Sequence, residues 1–449
     1  MSQQIEELAR FVAGTQWTET PGPVQHRAKL VLLDTLGVIL AGAGRPEERA
    51  LWERLTATAG TGATVLTRGL PAADPRTAAM LNALAARAVE LSEGLRGLQP
   101  ATHILPGVLA VGEHRRSTGR QLMEALVLGY EVAGRLQLGF TPRAFAHPNG
   151  QISLLAAAAA GARLHGLDGA GVSLTMRIAT TMLMTPSYTN TAAGGTTLNL
   201  PAGMGGFAAV LAPEMARSGY AAQDGAIEEA LGEMVGSGFD PDGLVDGLGC
   251  SWQIADNYFR FYACCNPIHP ALDSLQDVLA ALRPKPEEIE RIDVATFAFA
   301  SVMCNQDPPN YFASKYSLPH AAATLVVKGG IGFAALDDAS LSDPGIVALR
   351  HRVHVTEDPA MTAAGPLLKP ARVTVTLTDG RHGTEACENS KRDTLRPDPE
   401  PLVREKFAEL AGTVLTPEGV TRVEQAVDRC EYWASVDDLM SLLRQHSRT

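Results

Sequence analysis

Hydrophobic and polar positions follow two different periods along this chain. From Gln4 to about residue 235, apolar residues recur mainly at helical spacing. Residues 24–40 are apolar between Pro23 and Gly42, which predicts a buried helix with a proline start and a glycine stop. The same spacing predicts further helices at residues 77–90, 122–136, 151–164 and 206–219. The segment 151–164 is almost entirely Ala and Leu, which is typical of a helix in the middle of a bundle.

The pattern changes after Pro267. A helix is predicted at residues 271–282, and strand-like alternation follows at residues 292–299, 353–356 and 372–378. Asp379-Gly380 then predicts a hairpin turn. Helices at residues 318–328 and 344–350 lie between the strands, and residues 401–445 are helical again. We therefore predict a mainly α fold, in which a large all-helical domain (1–267 and 393–449) is interrupted by a smaller α/β (α+β) lid domain (268–392).

Composition narrows the class of protein. The chain has 449 residues, of which 45% are hydrophobic, and its net charge is −11. This excludes general disorder and disfavours nucleic acid or anionic membrane as a partner, since both need clustered basic residues. Abundant Ala and Gly predict closely packed helices. The six cysteines form no CxxC pair, and the polar N-terminus does not resemble a signal peptide, so we expect a cytoplasmic protein with reduced thiols.

The longest stretch without a charged residue runs from residue 178 to 213. Its length would permit a membrane-spanning helix, but its Pro, Gly, Asn and Thr residues are costly in hydrocarbon. We predict buried, broken structure there rather than a membrane span.

Several histidines lie in surroundings that suit proton transfer. His103 lies just after a Gly-containing loop that follows Glu90 and Glu93. His147 directly precedes the Ala-rich helix, where backbone N–H groups would lower the pKa of an imidazole. His269 and His320 lie in Pro-containing segments later in the chain. None has the spacing of a metal ligand, so the sequence gives only a weak indication of a metal site, and no P-loop, GxSxG or strand-borne GxGxxG is present.

Structural roles stay open for each of these residues. A single histidine can be a hydrogen-bonded residue at a loop–helix junction. Glu90 and Glu93 can belong to a solvated turn, and Arg260 can form a salt bridge or lie at the C-terminus of a helix. Their positions at the ends of apolar helices favour the functional interpretation, because neighbouring helices could form the walls of a pocket there.

Motifs over nearly the whole chain resemble those of the MmgE/PrpD family of 2-methylcitrate dehydratase-like enzymes, which includes cis-aconitate decarboxylases and iminodisuccinate epimerases. The resemblance is carried by Leu32-Leu-Asp-Thr-Leu-Gly-Val-Ile-Leu-Ala-Gly, Gly129-Tyr-Glu-Val, His147-Pro, Leu164-His-Gly-Leu-Asp, Tyr262-Ala-Cys-Cys-Asn-Pro-Ile-His-Pro and Lys315-Tyr-Ser-Leu-Pro-His. It implies a helical domain split by an α/β lid, a homodimer, and chemistry on a small carboxylic acid without metal or organic cofactor.

The departures from the family motifs change the expected site. Glu90 stands where the resemblance places the first catalytic aspartate, and Asn149 replaces the threonine of the GWHPT-like motif. Leu198 stands at the lysine of the KPLH-like motif, so a cationic anchor is lost. Arg260 replaces another family lysine, and His320 replaces the tyrosine of the SLPY-like motif.

The resemblance assigns a role to each matching position. His103 and His147 are the predicted acid/base pair, Glu90 orients a histidine or acts as a base, and His320 donates a proton. The predicted substrate-binding residues are Arg260, His269, Lys315 and Asn149. An arginine offers a planar bidentate fork where a lysine offers a point charge, so the Arg260 replacement can alter substrate choice.

Three classes of function stay open. The first is a lyase of dehydratase or decarboxylase type acting on a small organic acid. The second is an epimerase or isomerase of a small dicarboxylic acid, and the third is a binding protein that has lost the chemistry. The substrate is undecided, although a tricarboxylate such as methylcitrate should need more cationic anchors than the sequence offers.

Overall fold

The computed structural model describes residues 3–56, 62–144, 146–365, 368–391, 393 and 398–448. The fold is mainly α with a small sheet region, as predicted. The chain forms two compact units, one comprising Met1–Tyr188, Thr197–Tyr258 and Glu400–Thr449, the other Thr189–Thr196 and Phe259–Pro399. The predicted insertion spans residues 268–392. Its last residue, 392, lies outside the described residues.

Helices dominate the chain as far as residue 229. In order they are α1 (Gln3–Gly14), α2 (Gly22–Gly42), α3 (Pro46–Thr56), α4 (Pro75–Ala88), α5 (Pro100–Arg115), α6 (Gly119–Gly139), α7 (Ile152–Leu164), α8 (Gly169–Ala179), α9 (Tyr188–Ala192), α10 (Leu200–Arg217) and α11 (Ala226–Glu229). Two short antiparallel pairs accompany them: β1 (Ala63–Thr64) with β2 (Ala72–Ala73), and β3 (Phe140–Pro142) with β4 (Gly236–Phe239).

The second unit contains a four-stranded sheet. Its strands are β5 (Ile289–Thr296), β6 (Val353–Glu357), β7 (Ala371–Leu377) and β8 (His382–Cys387), in the order β6-β5-β7-β8. The β5–β6 pair is parallel and the other pairs are antiparallel. The hairpin predicted at Asp379-Gly380 joins β7 to β8, and Gly380 has the left-handed φ of +88° that this turn needs.

The remaining helices lie in the second unit and in the C-terminal segment. Those of the second unit are α12 (His269–Leu282), α13 (Ala298–Ser301), α14 (Tyr311–Ser314), α15 (Leu318–Lys328), α16 (Pro344–Arg350) and α17 (Pro359–Ala363). The C-terminal segment returns to the first unit with α18 (Glu400–Ala411), α19 (Pro417–Asp428) and α20 (Asp437–His446).

The core of the first unit is built from helices that touch through small residues. In α7, every residue except Arg163 is buried, as expected for a central helix. A Cβ added at Gly161 of α7 would lie 1.9 Å from the Ala209 carbonyl oxygen of α10. The abundance of Ala and Gly therefore reflects backbone-to-backbone contact between helices, since no larger side chain fits there.

The charge-free stretch at residues 178–213 is broken, as predicted, but the prediction that it is buried throughout is wrong. Residues 181–190 are exposed or half-buried, because Thr, Ser and Asn can be solvated without carrying charge. Among the helices of the described ranges, none combines the length and apolar character that a bilayer span needs.

The contact between α7 and α10 predicts a strong effect of one methyl group. We expect Gly161→Ala to lower the free energy of unfolding by at least about 2 kcal/mol, because the added Cβ overlaps a backbone carbonyl that cannot rotate away. Urea unfolding followed by circular dichroism measures the change. Gly14→Ala in α1 is the matched control, since its Cβ meets nothing within 4 Å, and it should leave stability equal or slightly higher. Equal losses in both variants would contradict the packing.

Candidate active site

His103 lies in the first turn of α5, a helix that was not predicted individually from the sequence. The helix begins with Pro100 at its first position, where a proline costs no hydrogen bond. Glu93, which the sequence allowed to be part of a solvated turn, is fully buried and accepts a hydrogen bond from the Ala101 backbone N–H at 2.9 Å. This carboxylate therefore caps the helix that carries His103.

The surroundings of His103 fix its tautomer. Its Nδ1 lies 3.0 Å from Thr102 Oγ1 and 3.3 Å from the Gln99 carbonyl oxygen. Thr102 Oγ1 already donates to the same carbonyl at 2.8 Å, so it accepts from the ring. Because both neighbours of Nδ1 are acceptors, Nδ1 carries the proton and Nε2 carries the lone pair.

His103 is neutral as well as buried. Burial lowers its pKa to about 3, against the opposing hydrogen bond to Gln99 and with the help of the nearby Arg87 charge. Nε2 has no hydrogen-bond partner among the described residues. The site therefore holds an unprotonated imidazole nitrogen, which accepts a hydrogen bond in the free protein and takes a proton only when the negative charge of a bound carboxylate raises its pKa.

His147 has the opposite tautomer. The Asn149 backbone N–H donates to His147 Nδ1 at 3.2 Å, so in the neutral ring the proton is on Nε2. The ring stacks on that of Tyr188, with centroids 4.9 Å apart. The prediction that His147 lies at a helix N-terminus is wrong, because a turn with Gly150 at φ +91° intervenes and α7 begins only at Ile152.

Gln99 connects the two histidines. Its carbonyl oxygen contacts His103, and its side-chain Oε1 accepts from Asn149 Nδ2 at 3.4 Å. Asn149 in turn bonds to His147 through its backbone. The structure thus brings together His103, His147 and Asn149, which were predicted from the sequence. Together with Gln99, we call them the histidine site.

Unsatisfied polar atoms accumulate in the segment that follows His147. Asn149 Oδ1, Gln151 Oε1 and Ser153 Oγ are buried and lack a hydrogen-bond partner in the part of the chain that the structure describes. An unpaired buried polar group costs about 1–3 kcal/mol, so several in one segment indicate a place for a polar ligand or water.

Glu90 is buried and is not part of a solvated turn. Its backbone has a φ of +51°, an uncommon conformation for a glutamate, in the turn that ends α4. Its Oε2 lies 2.5 Å from Arg87 Nη1, and both side chains are almost fully buried. The carboxylate is therefore held by an arginine whose charge also acts on His103.

The remaining predicted residues lie in the second unit, where His269 is fully paired. Its Nδ1 is 2.5 Å from Asp393 Oδ2, and its Nε2 is 3.0 Å from the Cys264 carbonyl oxygen. Both partners can only accept, so both ring nitrogens carry protons. Although burial lowers the pKa of His269, the Asp393 charge outweighs it and raises the pKa to about 10. Direct contact with a substrate would therefore break one of these bonds.

Arg260 is buried at 1% exposure and has a cationic neighbour that the sequence interpretation missed. Lys369 Nζ donates to Asn266 Oδ1, and Asn266 Nδ2 donates to Asp393 Oδ2 at 2.8 Å. Burial lowers the pKa of Lys369, and the Arg260 charge adds to that shift. No motif surrounds Lys369 in the sequence, so only the fold reveals its proximity to Arg260.

Lys315 and His320 are both buried in the second unit. Lys315 Nζ donates to the Leu336 carbonyl oxygen at 2.5 Å and lies 4.0 Å above the Tyr311 ring. His320 Nε2 bonds to Ser340 Oγ at 3.0 Å, and Nδ1 has no hydrogen-bond partner among the described residues. Burial, with smaller contributions from Arg350 and Lys315, lowers the pKa of His320 to about 4, so this ring is neutral.

Two further features bear on the chemistry. Leu198, at the position of the missing lysine, is buried at 1% exposure in a short 3-10 turn. Within the described ranges, no group of three or more His, Cys, Asp or Glu side chains is arranged to hold a metal ion.

Comparison with known families gives two matches that together span most of the chain. The MmgE/PrpD N-terminal domain matches residues 6–239, and the MmgE/PrpD C-terminal domain matches residues 262–431. The first of these alone covers more than half of the chain.

Curated relatives match over almost their full length. The cis-aconitate decarboxylase of Aspergillus terreus is 23% identical over 475 residues, which covers 97% of this chain and 95% of the relative. The cis-aconitate decarboxylase-like protein oryM of Aspergillus oryzae is 24% identical over 476 residues, covering 97% and 96%. Both are similar to this chain along its whole length.

The His269–Asp393 pair predicts a pH-dependent stability. A histidine whose folded pKa is raised stabilises the fold fully below its unfolded pKa of about 6.5, and this stability is lost as pH rises towards about 10. At pH 6.5, we expect Asp393→Asn to lower the free energy of unfolding by about 3–5 kcal/mol, because it leaves a buried charge unpaired. The difference from wild type should shrink as pH rises to 10 in urea unfolding curves. Asp293→Asn, which affects an exposed pair with Arg291, is the control and should show no such trend. A constant difference for Asp393→Asn would contradict the assigned charge.

Proposed function

The chain belongs to the MmgE/PrpD family, and on that premise we propose that it is a cofactor-independent lyase acting by proton transfer next to a carboxylate of a small organic acid. The observation that carries the proposal is the hydrogen bonding of the histidine site: the acceptors around His103 Nδ1 leave the lone pair on its Nε2, and the N–H that His147 Nδ1 accepts puts the proton of a neutral ring on its Nε2. A base and an acid are the two groups that an elimination needs.

In a dehydration, His103 Nε2 takes the proton from the carbon next to the carboxylate. The electron pair of that C–H bond forms the double bond as the C–O bond breaks, and the hydroxyl leaves as water with the proton of His147. In a decarboxylation, the C–C bond breaks, CO2 leaves, and the electron pair stays on carbon until His147 protonates it. Each proton transfer by a positioned group contributes on the order of 10²–10⁴-fold.

The substrate-binding roles of Arg260, Lys315 and His269 in the second unit, and the role of His320 as a further proton carrier, stay predictions from the resemblance. An arginine such as Arg260 offers a bidentate fork to a carboxylate. The bonds of His269 to Asp393 and Cys264 leave it no proton to donate directly. In the first unit, Asn149 offers its amide group to the substrate.

Glu90 is assigned a positioning role in this scheme. Its ion pair with Arg87 holds a positive charge close to His103, and that charge helps to keep the imidazole neutral. A homodimer and a cytoplasmic location stay predictions from the resemblance.

The relatives' names make a decarboxylation of cis-aconitate the first reaction to test. An epimerase is the second candidate, because a base and an acid with opposite tautomers could also remove a proton from one face of a carbon and return it to the other. Incubation with cis-aconitate and other small di- and tricarboxylic acids in D2O, followed by proton NMR and CO2 detection, separates the classes. We expect net loss of CO2 or water. Deuterium exchange without elimination would instead identify an epimerase, and no reaction with any acid would favour a binding protein.

Variants of the two histidines test the proposed roles. We expect His147→Gln to lower kcat by about 10²–10⁴-fold with little change in KM, because the proton donor is lost while the shape of the site is kept. A similar loss in His103→Gln indicates proton abstraction from carbon, and a loss confined to His147→Gln indicates decarboxylation. His26→Gln, on the surface beside Glu400, is the control and should retain full turnover. Full turnover in both site variants would contradict the proposal.

A further inference from the structure

A cavity lies on the first unit where α4 begins and where α5 and α10 end. It has a volume of about 580 Å³, and its lining includes Arg76, His114, Arg115, His165, Leu211 and Glu214. Arg76 is near the start of α4, Arg115 ends α5, and Glu214 is near the end of α10. We call this cavity the helix-end pocket, and its volume falls in the range of small-molecule sites.

The lining of the helix-end pocket is basic. Four of the named side chains are arginine or histidine, and one is a carboxylate. That carboxylate, Glu214, already pairs with Arg217 at 3.0 Å. Arg115 presents a guanidinium group whose planar fork suits an oxyanion. Arg76 donates from Nε to Asp74 Oδ1 at 3.1 Å, which leaves its two Nη groups to bind a ligand. The pocket therefore favours a negatively charged ligand.

His165 gives an independent sign of a missing partner. Its side chain is only 5% exposed, and neither ring nitrogen has a hydrogen-bond partner among the described residues. Nδ1 lies 3.2 Å from Glu214 Oε1, but not in the geometry of a hydrogen bond. Burial, aided by the charge of Arg115, lowers the pKa of His165 to about 4, so the ring is neutral with one N–H donor. A buried donor without an acceptor destabilises the fold, and a ligand oxygen would satisfy it.

From these observations, we propose that the helix-end pocket binds a small, multiply charged oxyanion, held by Arg76 and Arg115 and by the N–H of His165. The shared chemistry is that of a phosphate group or a polycarboxylate. The pocket is separate from the histidine site, since His103 and Arg115 are twelve positions apart on α5, about 18 Å along a straight helix.

Isothermal titration calorimetry on the full chain tests the site, with inorganic pyrophosphate and citrate as the two probes. We expect at least one probe to bind, and the tighter one identifies the phosphate-type or carboxylate-type ligand. Arg115→Gln should weaken binding by about tenfold or more, because it removes a charge-assisted contact. Arg116→Gln is the matched control, since this neighbouring exposed arginine does not line the pocket and lies near Asp437 instead. It should change binding by less than about twofold.

The His103→Gln variant tests whether the helix-end pocket binds independently of the histidine site. Binding at the helix-end pocket should be unchanged in that variant. Three results would overturn the proposal: no binding of either probe, equal weakening by Arg115→Gln and Arg116→Gln, or loss of binding in His103→Gln.

Discussion

The hydrogen bond from His103 Nδ1 to the Gln99 carbonyl oxygen is the interaction on which the proposed chemistry depends. It fixes the proton on one ring nitrogen and leaves the lone pair on the other. Burial keeps the ring uncharged, since a charged imidazole would have to be desolvated. A neutral ring results, close to the buried pair of Arg87 and Glu90.

The packing of helices in the first unit shapes the space around the His103 ring. Glu93 caps α5 just ahead of His103, and Gly205 of α10 leaves the space that the imidazole fills, because a Cβ there would lie 2.7 Å from His103 Cδ2. The glycines of residues 203–206 lie inside α10 and allow close packing. The same small residues that make the chain Ala- and Gly-rich therefore shape the site.

Sequence periodicity predicted the helices whose apolar spacing and capping residues agree. It missed those whose interior residues disfavour a helix. Helices α15 and α16 begin and end at the predicted residues, because proline starts and apolar spacing agree there. Helix α5 was not predicted individually, since its interior Pro106 and Gly107 contradict its periodicity. His103 and His147 could be chosen from the sequence, but Gln99 and Lys369 could not. Their importance comes from contacts between segments far apart in the chain, which no local pattern encodes.

The proposed chemistry depends most directly on a neutral His103 with its proton on Nδ1. Nitrogen-15 NMR of histidine-labelled protein, assigned with His103→Gln, reports the charge and tautomer of each ring as a function of pH. We expect the His103 resonances to stay those of a neutral Nδ1–H ring from pH 8 down to pH 5, because the pKa is lowered to about 3. A ring that gains a second proton above pH 5, or one with its proton on Nε2, would contradict the account.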